Sequence, residues 1–225
     1  MPQPKTRPDS PVPSLVWWSL ANEYDLCAAK TLEDWYAIEA FVGENDPCGH
    51  MLSNHNCFRP WDWERPHTTH VSWQSKMLYR VAEMARRFGK PVLIDECRYE
   101  GNVPEMWGNI SGREMTARFW RTVAQGGYCT HRETFLPGTP MGDRATDTGE
   151  AEVVWWARGG KLNGESPARI AFLRGIVESL PGPLSPLADE IACRSAASVT
   201  AEFCIGSPSL LFSVVGRLPP GKSKV

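Results

Sequence analysis

Two glutamates in this 225-residue sequence are placed to work as a pair. Glu23 follows the run LVWWSLAN, and Glu96 closes PVLIDE. Both stand where a continuous apolar stretch turns abruptly polar. Two carboxyl groups facing one pocket can cleave a glycosidic bond: one protonates the leaving oxygen while the other attacks the anomeric carbon or activates water. A pair about 5–5.5 Å apart retains anomeric configuration, and a pair about 6.5–9.5 Å apart inverts it. A glutamate on a surface loop would more simply pair with Arg or Lys. These two end runs too apolar to be surface segments, which favours chemistry over surface pairing.

Other polar residues end apolar runs in the same way: Asn22 before Glu23, Asn54 with His55, and His131 with Glu133. Cys48, His50, His55 and Cys57 are all possible zinc ligands. Their spacing is not that of a finger or ribbon, so a packing thiol and a hydrogen-bonding histidine are expected there. Ten tryptophans are present. Trp17, Trp18, Trp73, Trp107, Trp155 and Trp156 sit beside polar residues at strand ends. Aromatic faces stack on the C–H faces of sugars, although any single tryptophan is more simply explained as core.

The elements that must carry these residues alternate. Residues 15–21 read as a strand apolar on both faces, as in a parallel sheet. Residues 32–43 have helical spacing, with Thr31 as N-cap and Gly43 as stop. Residues 50–56 and 69–74 read as strands, with an aromatic loop, 58–66, between them. Residues 76–89 form an amphipathic helix closed by Gly89. Strand 91–102 follows, then helix 111–127, strand 127–135, an aromatic segment near 152–160, and helix 166–180 with Pro167 in its first turn. The order β-α-β-β-α-β-α-β-α predicts an α/β fold with a mostly parallel sheet. No GxGxxG or GxxxxGK[ST] follows a strand, so nothing supports a nucleotide-binding sheet. In a parallel α/β barrel the strand C-termini form the active face, which would gather the polar ends around one pocket.

The composition excludes several classes. It is 42% hydrophobic and 22% charged, an ordinary globular balance. A net charge of −2 leaves no footprint for nucleic acid or an anionic membrane. No apolar run is long enough to span a membrane. The lead-in MPQPKTRPDSP has no apolar core and is not a secretory signal. Seven cysteines without a CxxC pair fit a reducing, cytoplasmic setting better than a disulfide framework.

The wording of the sequence is also informative. VWWSLANEYDL, SNHN, PVLIDECRYEGN, WGNISGREMTARFW, GGYCTHRETF and WWARGGKLNGESPARIAFLR together resemble the apiosidase-like glycoside hydrolases of bacteria. The resemblance covers roughly residues 15–180. These enzymes are (β/α)8 barrels of the retaining clan with Asn-Glu on strand four and Glu on strand seven. The resemblance implies a partial TIM barrel, strands four to eight with their helices. It implies that Glu23 is the acid/base, that Glu96 is the nucleophile, and that Asn22 binds the sugar 2-hydroxyl. The implied sugar contacts are His55, His70, Gln74, Tyr99, Trp107, His131 and Glu133. The substrate would be a plant or microbial polysaccharide or oligosaccharide, with no metal and no cofactor.

The group has three barrel strands before its Asn-Glu strand and usually continues into a β-sandwich. The expected division is therefore a disordered lead-in (1–14), the C-terminal part of a barrel (15–180), and a linker with a remnant segment (181–225). Open strand edges at residue 15 and near Tyr128 would make the isolated chain sticky and slow. The rival expectations are an inactive or merely carbohydrate-binding remnant, and an inverting or hydratase-like enzyme on the same fold.

Overall fold

The computed structural model describes residues 17–136 and 162–180. The expectations for the lead-in, most of the loop beyond Leu136, the segment with Trp155 and Trp156, and residues 181–225 lie outside the described residues. The chain forms two compact units. The first runs to Ser75 and takes in Glu83–Glu96, and the second comprises Lys76–Ala82 and everything from Cys97. No helix among the described residues is long and apolar enough to cross a membrane.

In the first unit, β1 (Trp17–Ser19) pairs in parallel with β2 (Met51–Ser53). Between them α1 spans Leu32–Asn45. Its start is set by a capping box: Thr31 Oγ1 accepts from Asp34 N, and the Asp34 carboxylate accepts from Thr31 N. The helix runs through Gly43 to Asn45, two residues beyond the expected stop. β3 (Val71–Gln74) pairs in parallel with β4 (Val92–Glu96). The link from β3 to β4 begins with a 3-10 turn at Leu78–Arg80, so α2 is only Val81–Phe88, shorter than its periodicity suggested. Gly89 ends it at φ 61°, a left-handed conformation that costs glycine nothing.

The first unit corrects two expectations. Residues 17–19 are exposed on both faces, with Trp17 43% and Trp18 40% exposed, where a doubly buried strand was expected. The cause is that β1 is bonded only along its β2 edge among the described residues. Trp73, expected as a possible sugar platform, is core: it is 4% exposed and packs edge-on to Trp63, which is itself buried. Trp61 is buried as well, its Nε1 donating to Thr68 Oγ1. The aromatic loop is thus clamped to α1, where the fully buried Glu39 accepts from Arg65 Nε at 2.6 Å and from Thr68 Oγ1 at 3.1 Å.

In the second unit, the expected strand 91–102 breaks after β4, and β5 is only Glu100–Gly101. α3 (Gly112–Val123) starts from the Ser111 cap, whose hydroxyl accepts from Glu114 N. The expected strand 127–135 is likewise two pieces, β6 (Tyr128–Cys129) and β7 (Glu133–Thr134), and β7 pairs in parallel with β5. α4 (Ser166–Glu178) packs on α3. Its first turn is fixed by Glu100, whose buried carboxylate accepts from Glu165 N, Ser166 N and Ser166 Oγ. A carboxylate on unpaired N–H groups at a helix start satisfies them and suits the positive end of the helix. Gly164 permits the approach, because a methyl group there would stand 2.4 Å from Glu100 Oε2.

Candidate active site

The first unit brings four of the expected site residues together: Glu23, Gln74 and His55 joined by hydrogen bonds, and Glu96 3.9 Å from His55. Gln74 closes β3 and Glu96 closes β4, and the register between these strands shifts in a way that matters. Ser72 faces Leu93, but Gln74 faces Glu96, so β4 holds one residue more than β3 over this stretch. Such a bulge re-aims side chains. Without it Gln74 would stand opposite Asp95.

The Gln74 amide is the hinge of the cluster. Its Nε2 donates to Glu23 Oε1 at 3.1 Å, and its Oε1 lies 2.9 Å from His55 Nε2. With the amide so oriented, His55 must carry its proton on Nε2. That same nitrogen lies 3.9 Å from Glu96 Oε1. The backbone of Gln74 is pinned in turn: its N–H donates to Asn56 Oδ1 at 3.1 Å, and its carbonyl accepts from Asn56 Nδ2 at 3.4 Å. A buried asparagine side chain thereby continues a strand pairing that the backbone has stopped making.

Glu23 sits just beyond β1. The chain continues alongside β2 through Leu20 N to Ser53 O at 3.3 Å, Ala21 N to Asn54 Oδ1 at 3.1 Å, and Tyr24 N to His55 O at 2.9 Å. At Glu23 the backbone turns left-handed, φ 51° and ψ 56°. A non-glycine residue in that region costs on the order of 1–3 kcal/mol, and such strain concentrates at functional sites.

Asp25 holds this turn against the loop after β2. Its carboxylate accepts from three successive backbone N–H groups: Cys57 at 2.6 Å, Phe58 at 2.7 Å and Arg59 at 2.6 Å. Burial alone would raise its pKa, but the three donors outweigh burial and hold it below the usual carboxylate value. Asp25→Ala is expected to cost about 2 kcal/mol of stability, as three donors lose a charged acceptor. Because the folded-state pKa is depressed, this stabilisation is complete above the unfolded aspartate value near 3.9 and is lost as pH falls through the lower folded value. Thermal melts of both chains should therefore differ clearly at pH 7 and converge at the acid end. Equal melting temperatures at pH 7 would show that Asp25 is dispensable to the loop.

Two further neighbours of the glutamates were not legible in advance. The Cys57 thiol is pushed up to about 12, first by burial, then by its hydrogen bond to Glu23 and by the charges of Glu23, Asp25 and Glu96. It is a neutral thiol beside Glu23 and no nucleophile. Asp95 is hydrogen-bonded by the Ser72 hydroxyl. Burial raises its pKa and the charge of Glu96 raises it further, against the Ser72 hydrogen bond and His55.

Asn22 is exposed beside Glu23. His70 precedes β3, at the opposite end from Gln74. It is 2% exposed, its Nδ1 lies 3.0 Å from Thr69 Oγ1, and burial lowers its pKa to about 4, so it is neutral. Tyr99, Trp107, His131 and Glu133 belong to the second unit. Tyr99 is buried and exchanges backbone bonds with Trp107 and Ile110. The Trp107 ring lies 5.3 Å from Lys76 Nζ. Glu133 accepts from Asn163 N and Gly164 N at 2.7 Å each, and His131 Nε2 lies 2.8 Å from Ser166 Oγ. These two side chains, with Glu100, anchor the start of α4. Cys48 and His50 gather on Asp46, whereas His55 and Cys57 belong to the glutamate cluster, so the four do not form one ligand set.

The chain is similar to the crystal structure of a putative glycoside hydrolase from Bacteroides vulgatus ATCC 8482, with 38% identity and a TM-score of 0.68 over 82% of its own length. The match occupies 34% of that protein, so the chain spans about a third of its neighbour's length. No protein-family model and no curated protein matches the chain.

Proposed function

We propose that this chain carries the catalytic pair of a retaining glycoside hydrolase of the apiosidase-like group. On this reading the parallel strands β1 to β4, with β6, are strands four to eight of a (β/α)8 barrel. The observation that carries the proposal is the bridge through Gln74, which ties Glu23 at the end of β1 to His55, itself 3.9 Å from Glu96 at the end of β4. The likeness to a solved protein described as a glycoside hydrolase supports it.

In this mechanism Glu96 attacks the anomeric carbon and Glu23 protonates the leaving oxygen. Water then opens the glycosyl-enzyme with Glu23 as base. Asn22, beside Glu23, holds the sugar 2-hydroxyl. The substrate class is an O-glycoside of a plant or microbial polysaccharide or oligosaccharide. Glu23 accepts from the Gln74 amide and the Cys57 thiol, and the Glu96 carboxylate lies 3.9 Å from His55 Nε2.

Retention is tested by proton NMR of the first-formed anomer released from an aryl glycoside. Retained configuration is expected, and an inverted first product would assign the pair to the inverting mechanism. A second reading, an inert or merely carbohydrate-binding chain, is favoured by the exposed tryptophans and by β1 being bonded along one edge among the described residues. It predicts sugar binding without turnover.

A further inference from the structure

Two thiols that the proposed reaction does not use face each other in the second unit. Cys97 follows β4 and is 1% exposed, and Cys129 ends β6. Their sulfurs lie 3.7 Å apart, and either can donate the hydrogen bond. A disulfide holds its sulfurs about 2.05 Å apart, so closure needs a movement of less than about 2 Å, within reach of side-chain rotation. Access is built in on one side. Cys129 lines an open cleft of about 500 Å³ together with Phe119, Val123, Leu173 and Val177. The pair also has a cationic neighbour, since Arg118 Nη1 donates to the Cys97 carbonyl at 2.7 Å. A guanidinium beside a thiol favours the thiolate, the form that reacts.

We propose that Cys97 and Cys129 are a peroxide-sensitive dithiol, an oxidative modification site that closes to an internal disulfide. Hydrogen peroxide enters by the cleft beside Cys129 and the Cys97 thiolate attacks it, taking one oxygen as a sulfenic acid while the other oxygen leaves as water. The Cys129 sulfur, giving up its proton, attacks the Cys97 sulfur. The S–S bond forms, the S–O bond breaks, and the departing hydroxide takes up a proton as a second water. The two thiols lose two electrons and the peroxide gains them. The reaction is independent of the glycosidase reading, and so is its test.

The full chain is treated under native conditions with a low dose of hydrogen peroxide, alkylated and digested with trypsin. The expected product is the peptide containing Cys97 joined to the peptide containing Cys129, separable by reductant, with two of the seven thiols lost. The intact mass falls by about two hydrogens. In Cys129→Ser the sulfenic acid on Cys97 has no partner and is trapped by dimedone, and in Cys97→Ser no linked peptide forms. The same dose given in denaturant should scatter the linkages. All seven thiols surviving in the native chain would overturn the proposal. So would Cys129 linking to another cysteine, or native and denatured chains giving the same set of linkages.

Discussion

A 2-deoxy-2-fluoro glycoside with a good leaving group is expected to label this chain on Glu96. The fluorine slows both chemical steps and the leaving group restores the first, so the glycosyl-enzyme accumulates and a single slow turnover can be read as added mass. Peptide mapping should place the sugar on Glu96, and Glu96→Ala should take no label. Against an aryl glycoside that is turned over, Glu96→Ala should lose about 10³-fold or more, because no other carboxylate can attack from that position. Glu23→Ala should differ in kind. It should lose about 10²–10⁴-fold on a poor leaving group, which needs the acid, and far less on an activated one. Azide should restore its turnover by taking the vacated space in the second step. A label on any residue other than Glu96 would sink the nucleophile assignment, and no label from a range of glycosides would favour the inert reading.

The exposed strand β1 predicts the second large effect. Trp17 and Trp18 present about two-fifths of their surface to solvent, on a strand bonded along one edge among the described residues. An apolar strand with unpaired N–H and C=O groups is a template for another strand. The isolated chain is therefore expected to self-associate at micromolar concentration, with light scattering giving several times the mass of one chain. Replacing both tryptophans by lysine should return it towards a monomer. Taking about 100 Å² of apolar contact from an interface costs it roughly 2 kcal/mol, or about 30-fold in Kd, and the added charges repel in register. A monomer with the native tryptophans at high concentration would show that this edge is harmless.

Glu23 and Glu96 were legible in the sequence because an apolar run stopping at a carboxylate is a local pattern, and so were the helices with caps at Thr31 and Ser111. The ties that assemble the site were not. Asp25 reaches across to Cys57, Phe58 and Arg59, and Asn56 reaches across to the Gln74 backbone, through side chain-to-backbone bonds that leave no mark on hydrophobic periodicity. The extra residue in β4 that sets Glu96 opposite Gln74 changes neither composition nor spacing enough to be seen. His131 and Glu133 ended an apolar run much as Glu96 did, yet they hold the start of α4. Strand-end polarity marks where a polar side chain can be used, and only the loops around it decide the use.

The left-handed backbone at Glu23 gives that position a second significance. Folding and catalysis ask opposite things of it. Glycine would adopt φ 51° freely, and a side chain there is held in place at the expense of stability. On the proposed assignment, Glu23→Gly should accordingly melt higher while losing the acid/base. A lineage released from hydrolysis would thus be drawn towards glycine at this one residue by stability alone. Position 23 becomes a gauge of past selection: across relatives of graded activity, the side chain found there records how recently the reaction still mattered.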